Sequence, residues 1–208
     1  MKALTELFQK CISIKYQHTE NGGDYAYELN YGHLGIYFEH SDGAIDWKNN
    51  FSFPAKPYKD MDTLWFCHHG FLKVWKSIEP YLKDIIMSPE VHSITIVGYS
   101  HGAAIASLCH EYVWFHRPDL RDQLRGYGFG APRVYWGWFI SKKLKSRWEN
   151  FTVIRNLDDI VTHLPPIIFG FRHINKVLKI GDKSKYTKIQ AHYPHHYIYE
   201  LENYEEQI

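Results

Sequence analysis

Apolar residues recur along this chain with two periods, and the changes of period mark out its elements. Leu4, Leu7, Phe8, Cys11 and Ile12 fall at helical spacing, which predicts an amphipathic first helix. Tyr25, Tyr27 and Leu29 then alternate, and a turn at Gly32 leads into HLGIYFEHS, so a hairpin ending near Ser41 is predicted. Residues 42–61 hold Gly, Asn and two Pro and read as a long loop. From Leu64 onward, strand and helix signals succeed one another. LWFCHH reads as a strand, Phe71 to Met87 as a helix bent at Pro80, and HSITIVGY as a β-branched strand. After Ser100, Ile105, Leu108, Cys109 and Tyr112 again keep helical spacing. GYGFGAP is a short Gly-rich strand, VYWGWFISKKLKSRW predicts a helix, FTVIR a strand and HHYIYELENY a closing helix. Strands alternating with helices at this interval imply right-handed crossovers. The predicted fold is therefore α/β, with a mostly parallel central sheet and helices on both faces.

Composition narrows the function. Lys and Arg number 24 against 23 Asp and Glu, so a net charge of +1 gives no field for nucleic acid. No linker, repeat or low-complexity tract divides residues 1–208, which read as a single domain. Cys11, Cys67 and Cys109 are widely spaced and lack a CxxC, the pattern of free thiols in a reducing compartment. Lys2, Glu6 and Lys10 interrupt the apolar residues of the N-terminus, and no stretch reaches the ~18 apolar residues of a membrane span. A soluble, cytoplasmic protein is expected.

Chemistry enters at Gly98-Tyr99-Ser100-His101-Gly102, a GxSxG pentapeptide between a predicted strand and a predicted helix. That junction holds a serine on a tight turn with its hydroxyl projecting, and both flanking positions must lack a Cβ. The His101 amide opens the following helix, where the dipole favours negative charge, so it is a ready oxyanion donor. A serine nucleophile needs a base, and the base needs an orienting carboxylate, in the chain order Ser, acid, His. Asp158 and Asp159 lie immediately beyond FTVIR. Asp119 and Asp122 are poorer candidates, near the end of the nucleophile helix. For the base, AHYPHHYIYEL offers His192, His195 and His196, ahead of His163 and His173. HExxH and Cys/His ligand spacings are missing from the sequence, so neither a metal nor a cofactor is expected.

Together these segments resemble the class 3 lipases, a family of α/β-hydrolases that includes fungal triacylglycerol lipases. The resemblance runs from about Gly35 to Leu201 and rests on GYSHGAA, DWKNNF, CHHGFLKVW, GFGAPRV and NLDDIVTHLPP in order. It implies Asp159 as triad acid, through an Asn-x-x-Asp-x-Val pattern on Asn156, Asp159 and Val161. It implies His192 as base, ahead of Tyr197 in the family's terminal His-x4-Tyr pattern. Ser41 matches the family's first oxyanion donor, although Glu39 and His40 replace its usual basic residue and glycine. The expected function is hydrolysis of carboxylic esters of lipids through an acyl-enzyme on Ser100, with the substrate met at a lipid–water interface. The alternatives are a weak or inactive hydrolase-fold protein that binds a lipid or partner, and a phospholipase or thioesterase using the same triad. Ile45, Trp47, Phe51, Phe53 and Tyr58 in the long loop are available to contact an acyl chain, and Pro166, Ile167, Ile168, Phe169 and Phe171 form a second apolar loop beside the acid. The commoner use of such loop residues is to fold onto the core.

Overall fold

A computed structural model of the chain describes residues 3–19, 23–39, 55–59, 64–174 and 176–206. α1 (Leu4–Ser13) buries Leu7, Phe8 and Cys11 on one side, as its spacing requires. β1 (Gln17–His18) pairs antiparallel with β2 (Asp24–Asn30), which turns back into β3 (His33–Phe38). Tyr31 and Gly32 both take positive φ at that turn, the geometry that matches the right-handed twist of a hairpin.

Beyond the hairpin the chain winds as α2 (His69–Ile86), β6 (Ser93–Tyr99), α3 (His101–His116), β7 (Leu124–Phe129), β9 (Phe151–Asn156), β11 (Lys176–Ile180) and α5 (Pro194–Glu205). Among the described residues the main sheet has the order β1-β2-β3-β6-β7-β9-β11, parallel from β3 onward. Strand alternation splits the core between two faces. Ile94 and Ile96 of β6 point toward α2 and α3, where they join Trp75, Ile78, Leu82 and Leu108. Val97 and Tyr99 point to the other face, where Phe8 of α1 and Tyr197 and Leu201 of α5 meet them. Helices thus cover both faces. α3 is buried along nearly its whole circumference rather than on one stripe, because the sheet and α2 enclose it.

Three sequence readings need correction. The stretch taken as a long loop holds a strand, β4 (Ala55–Tyr58), paired antiparallel with β5 (Trp65–His68). It is four residues long and has Pro57 on the outer edge of its sheet, too brief to show alternation. Residues 134–148 are not one helix. They form β8 (Tyr135–Trp136) and a short α4 (Lys142–Ser146), because Tyr135 and Trp136 pair with β5 on one side and with β10 (Phe171–Arg172) on the other. Strand pairing overrides helical spacing there. β10 and β11 were not anticipated. β4, β5, β8 and β10 make a second, antiparallel sheet on the α3 side of the molecule.

Candidate active site

The turn between β6 and α3 holds Ser100 at φ +55°, ψ −121°, a conformation L-residues rarely adopt. Backbone crowding explains the flanking glycines. A Cβ on Gly98 would lie 2.3 Å from the Gly102 carbonyl oxygen, and one on Gly102 would lie 2.2 Å from that of Phe38. The same closeness sets the end of β3 against the first turn of α3. The Ser100 amide donates to the Phe129 carbonyl at 2.9 Å, which ties the turn to the end of β7.

Ser100, His192 and Asp159, drawn from three segments, meet at the carboxyl end of the parallel strands. His192 Nε2 is 2.8 Å from Ser100 Oγ, and its Nδ1 is 2.8 Å from Asp159 Oδ2. Asp159 Oδ2 also accepts from the Tyr197 hydroxyl at 2.6 Å, and Oδ1 accepts from the Val161 amide at 2.9 Å. With its carboxylate fully buried, those donors satisfy a group that burial would otherwise disfavour. Tyr99 stacks on the His192 ring with centroids 5.1 Å apart, and its hydroxyl donates to the His192 carbonyl. Gly130, at φ +59°, closes the last side. A Cβ there would sit 2.8 Å from the imidazole and 3.0 Å from Asp159 Oδ2. The imidazole is thereby fixed in plane, tilt and distance. Ser100 is 1% exposed and His192 7%, so the chain of bonds lies in a water-poor site where electrostatic interactions are strengthened.

Of the alternatives, Asp158 accepts from the Ser184 amide instead, and His195 is exposed among the rings of Tyr193 and His196. His163 is exposed, and His173 bonds the Thr162 carbonyl. The His101 amide heads α3 beside Ser100, as predicted. Its imidazole packs against Phe71 near His68, and burial pushes both histidines down to about 4. Ser41 lies outside the described residues, as do Ile45, Trp47, Phe51 and Phe53. Tyr58 is not a loop residue facing substrate. It is buried on β4, where its hydroxyl accepts from Trp75 Nε1 at 2.7 Å.

The sequence model of the class 3 lipases matches residues 36–169, more than half of the chain. The chain belongs to this family. Among relatives similar to this family member, a secreted mono- and diacylglycerol lipase of Fusarium solani is 29% identical over 62% of the chain and 38% of its own length. A lipase of Rhizomucor miehei is 28% identical over 73% of the chain and 43% of its own length. The chain therefore spans less than half the length of either. The solved structure of a triacylglycerol lipase whose catalytic centre is a serine protease triad superimposes with a TM-score of 0.73. It is 22% identical and covers 86% of this chain and 78% of that one, which establishes the α/β-hydrolase fold.

Tyr99, Tyr197 and Gly130 are the members of this class 3 lipase site that sequence reasoning left without a role. Tyr197 carried a signal, its place in the His-x4-Tyr pattern. Among the described residues one trio, His18, Asp24 and Glu39, brings metal-type donor atoms within 4.8 Å of one another. It stands at the β1–β2 edge of the sheet, and His18 is already bonded to Asp24 at 2.6 Å.

Proposed function

We propose that the chain is a serine hydrolase of lipid carboxylic esters, with Ser100 as nucleophile, His192 as general base and Asp159 as the orienting acid. The observation that carries this reading is the unbroken path from Asp159 Oδ2 to His192 Nδ1 and, across the ring, from His192 Nε2 to Ser100 Oγ, both hydrogen bonds at 2.8 Å, with the serine on a strained turn. In the proposed reaction Ser100 Oγ attacks the acyl carbonyl as its proton passes to His192 Nε2. Asp159 holds the Nδ1 proton and stabilises the imidazolium without taking that proton. His192 then protonates the leaving alkoxide, and an acyl-enzyme remains. A water molecule, deprotonated by His192, attacks the acyl carbon and regenerates Ser100. The His101 amide, at the head of α3, and Ser41 are the proposed oxyanion donors, each worth on the order of 3 kcal/mol of barrier.

The substrate class follows from family membership and from the Fusarium relative's mono- and diacylglycerols. The same relative is a secreted enzyme, so the cytoplasmic expectation gains no support from it. Because the Ser100 hydroxyl is buried, ester entry requires the site to open. Fluorophosphonate labelling of the folded protein, compared with Ser100→Ala, tests the nucleophile. A p-nitrophenyl series from acetate to palmitate tests the substrate. Labelling of wild type alone and preference for long acyl chains are expected. Labelling of Ser100→Ala would overturn the nucleophile, and a strict acetate optimum would reduce the lipase to a small-ester esterase.

A further inference from the structure

A buried amide side chain with no part in the proton path lies between the acid and the base. Asn156 ends β9, ahead of Asp159 in the chain, and is 1% exposed. Strand alternation puts it on the face of Ile154, the face that α1 and α5 cover. Three of its hydrogen bonds run to neighbours of the triad. Its backbone carbonyl accepts from the Asp159 amide at 3.0 Å. Its backbone amide donates at 3.2 Å to the Tyr197 hydroxyl, which in turn donates to Asp159 Oδ2. Its side-chain Nδ2 donates at 3.0 Å to the carbonyl of Ala191, the residue before His192. The acid, the tyrosine that bonds it and the segment that carries the base are thereby tied to one residue.

The base sits in a single helical turn, Gln190–His192, that closes the stretch between β11 and α5. That stretch is fastened at two places on this face. In its earlier half, Lys185 Nζ and the Tyr186 hydroxyl reach Glu200 Oε1 of α5 at 2.6 and 2.8 Å, and Glu200 is 3% exposed. At its end, beside His192, the fastening is Asn156 Nδ2. Stability alone does not account for this amide. Asn156 Oδ1 is buried and has no hydrogen-bond partner among the described residues. It lies instead against Gly181, at φ +72°, where a Cβ would come within 2.8 Å of it. Burying an acceptor without a partner offsets much of what one neutral hydrogen bond contributes. An apolar side chain of the same shape would leave the Ala191 carbonyl unpaired and would also remove that buried acceptor. The amide is therefore close to neutral for folding, and what it supplies is the place of Ala191 and so of His192.

We propose that Asn156 is a positioning residue of the hydrolase: its Nδ2 fixes where the Gln190–His192 turn lies, and so the distances from His192 to Asp159 and to Ser100. It acts through Ala191 and not on the reacting atoms. Its role rests on the reading of Ser100, His192 and Asp159 as a triad, yet the place of the imidazole and the hydrolysis of an ester are measured separately.

The test sets Asn156→Leu, which keeps the shape of the amide and removes the donor, beside Glu200→Gln, which loosens the same stretch at Lys185 and Tyr186. On a dissolved p-nitrophenyl ester, Asn156→Leu should lower kcat about 10–30-fold at unchanged KM, the scale of a displacement well under 1 Å at a catalytic group. Its thermal midpoint should stay within about 4 °C of wild type. Glu200→Gln gives up a buried charge pair, so it should lose more in thermal midpoint and keep kcat within about twofold. The proton between His192 Nδ1 and Asp159 gives an independent reading. Held in a water-poor, charge-assisted hydrogen bond, it should appear as a far-downfield NMR line that His192→Ala abolishes. Asn156→Leu should broaden that line or move it upfield, and Glu200→Gln should leave it in place. Wild-type kcat and an unmoved line in Asn156→Leu would overturn the proposal. An equal fall of kcat in Glu200→Gln would overturn it too, since general fastening of the stretch would then place the base. Should Asn156→Leu fail to fold by circular dichroism, Asn156→Ala carries the same comparison. A wild type that shows the line and hydrolyses no ester would remove the enzymatic reading, and movement of the line in Asn156→Leu would still assign the place of His192 to Asn156.

Discussion

The two faces of the sheet do different work at the same serine. Under α1 and α5, polar groups are threaded through aromatic packing: Phe8 touches Tyr99, Phe129 and Tyr197, and those two tyrosines reach His192 and Asp159. Under α2 and α3 the core is mainly aliphatic, with Tyr, Phe and Trp rings packed among the aliphatic side chains, and it carries the helix whose first turn shapes the serine elbow. One face positions the base and acid, and the other holds the nucleophile's turn in place. Changes on the first should appear in rates and pH profiles. Changes on the second should appear in stability.

The comparison breaks first at the serine itself. Ser100→Ala should lower kcat by about 10⁴-fold to 10⁶-fold and leave the thermal midpoint within a few degrees of wild type, because Ala fills the same turn without the hydroxyl. Ester hydrolysis and calorimetry on one preparation check both halves. Substantial residual turnover would place the nucleophile elsewhere.

The α2/α3 face is sharpened by Trp75→Ala. Trp75 is fully buried, packs edge-on against Phe38 and Tyr112, and donates to the Tyr58 hydroxyl. Truncation leaves a cavity and should cost about 3–5 kcal/mol in urea unfolding. In the molecules still folded, kcat should stay within about threefold of wild type. A large kcat loss at unchanged stability would contradict the division between the faces.

Acid separates the faces in another way. Burial pushes His68, His101 and His173 down to about 4 and His110 to about 3, and these residues lie on or beside the α2/α3 face. In the unfolded chain they titrate near ~6.5. Folded values below unfolded ones mean that stability is complete above ~6.5 and falls as pH drops toward 4, while the unfolded state takes up protons first. The loss should be on the order of 1–3 kcal/mol per histidine. Thermal midpoints measured across that window check it. His110→Leu should flatten the slope, since neither ring nitrogen of His110 has a hydrogen-bond partner.

What the sequence made legible follows the same physics. The turn at Ser100, the parallel strands and the terminal helices were readable because each rests on local spacing or on glycines that the backbone itself demands. Asp159 and His192 could be narrowed to short segments but not chosen by pattern, since Asp158 and His195 differ from them in tertiary partners alone. The resemblance chose them, and the geometry brings the same pair to Ser100. β4, β8 and β10 were not readable, because strands of two to four residues exist only by pairing with β5 and with one another. Tyr99 escaped notice because its stacking on His192 joins residues 93 positions apart.

The finest test of the comparison is Tyr197→Phe. The Tyr197 hydroxyl donates to Asp159 Oδ2, the oxygen that also faces His192 Nδ1, and it accepts from the Asn156 amide at 3.2 Å. Phe keeps the ring in the aromatic cluster and removes one donor from a buried carboxylate. With one donor fewer, Asp159 Oδ2 is held less firmly opposite His192 Nδ1, and the imidazole loses part of its fixed orientation toward Ser100. At neutral pH kcat should fall about tenfold with KM unchanged, matching the ~1.5 kcal/mol of a hydrogen bond to a charged group. Stability should drop by only about 1 kcal/mol. A drop in stability without a fall in kcat would make Tyr197 a packing residue. A fall in kcat at unchanged KM is what distinguishes a hydroxyl that positions the acid for His192.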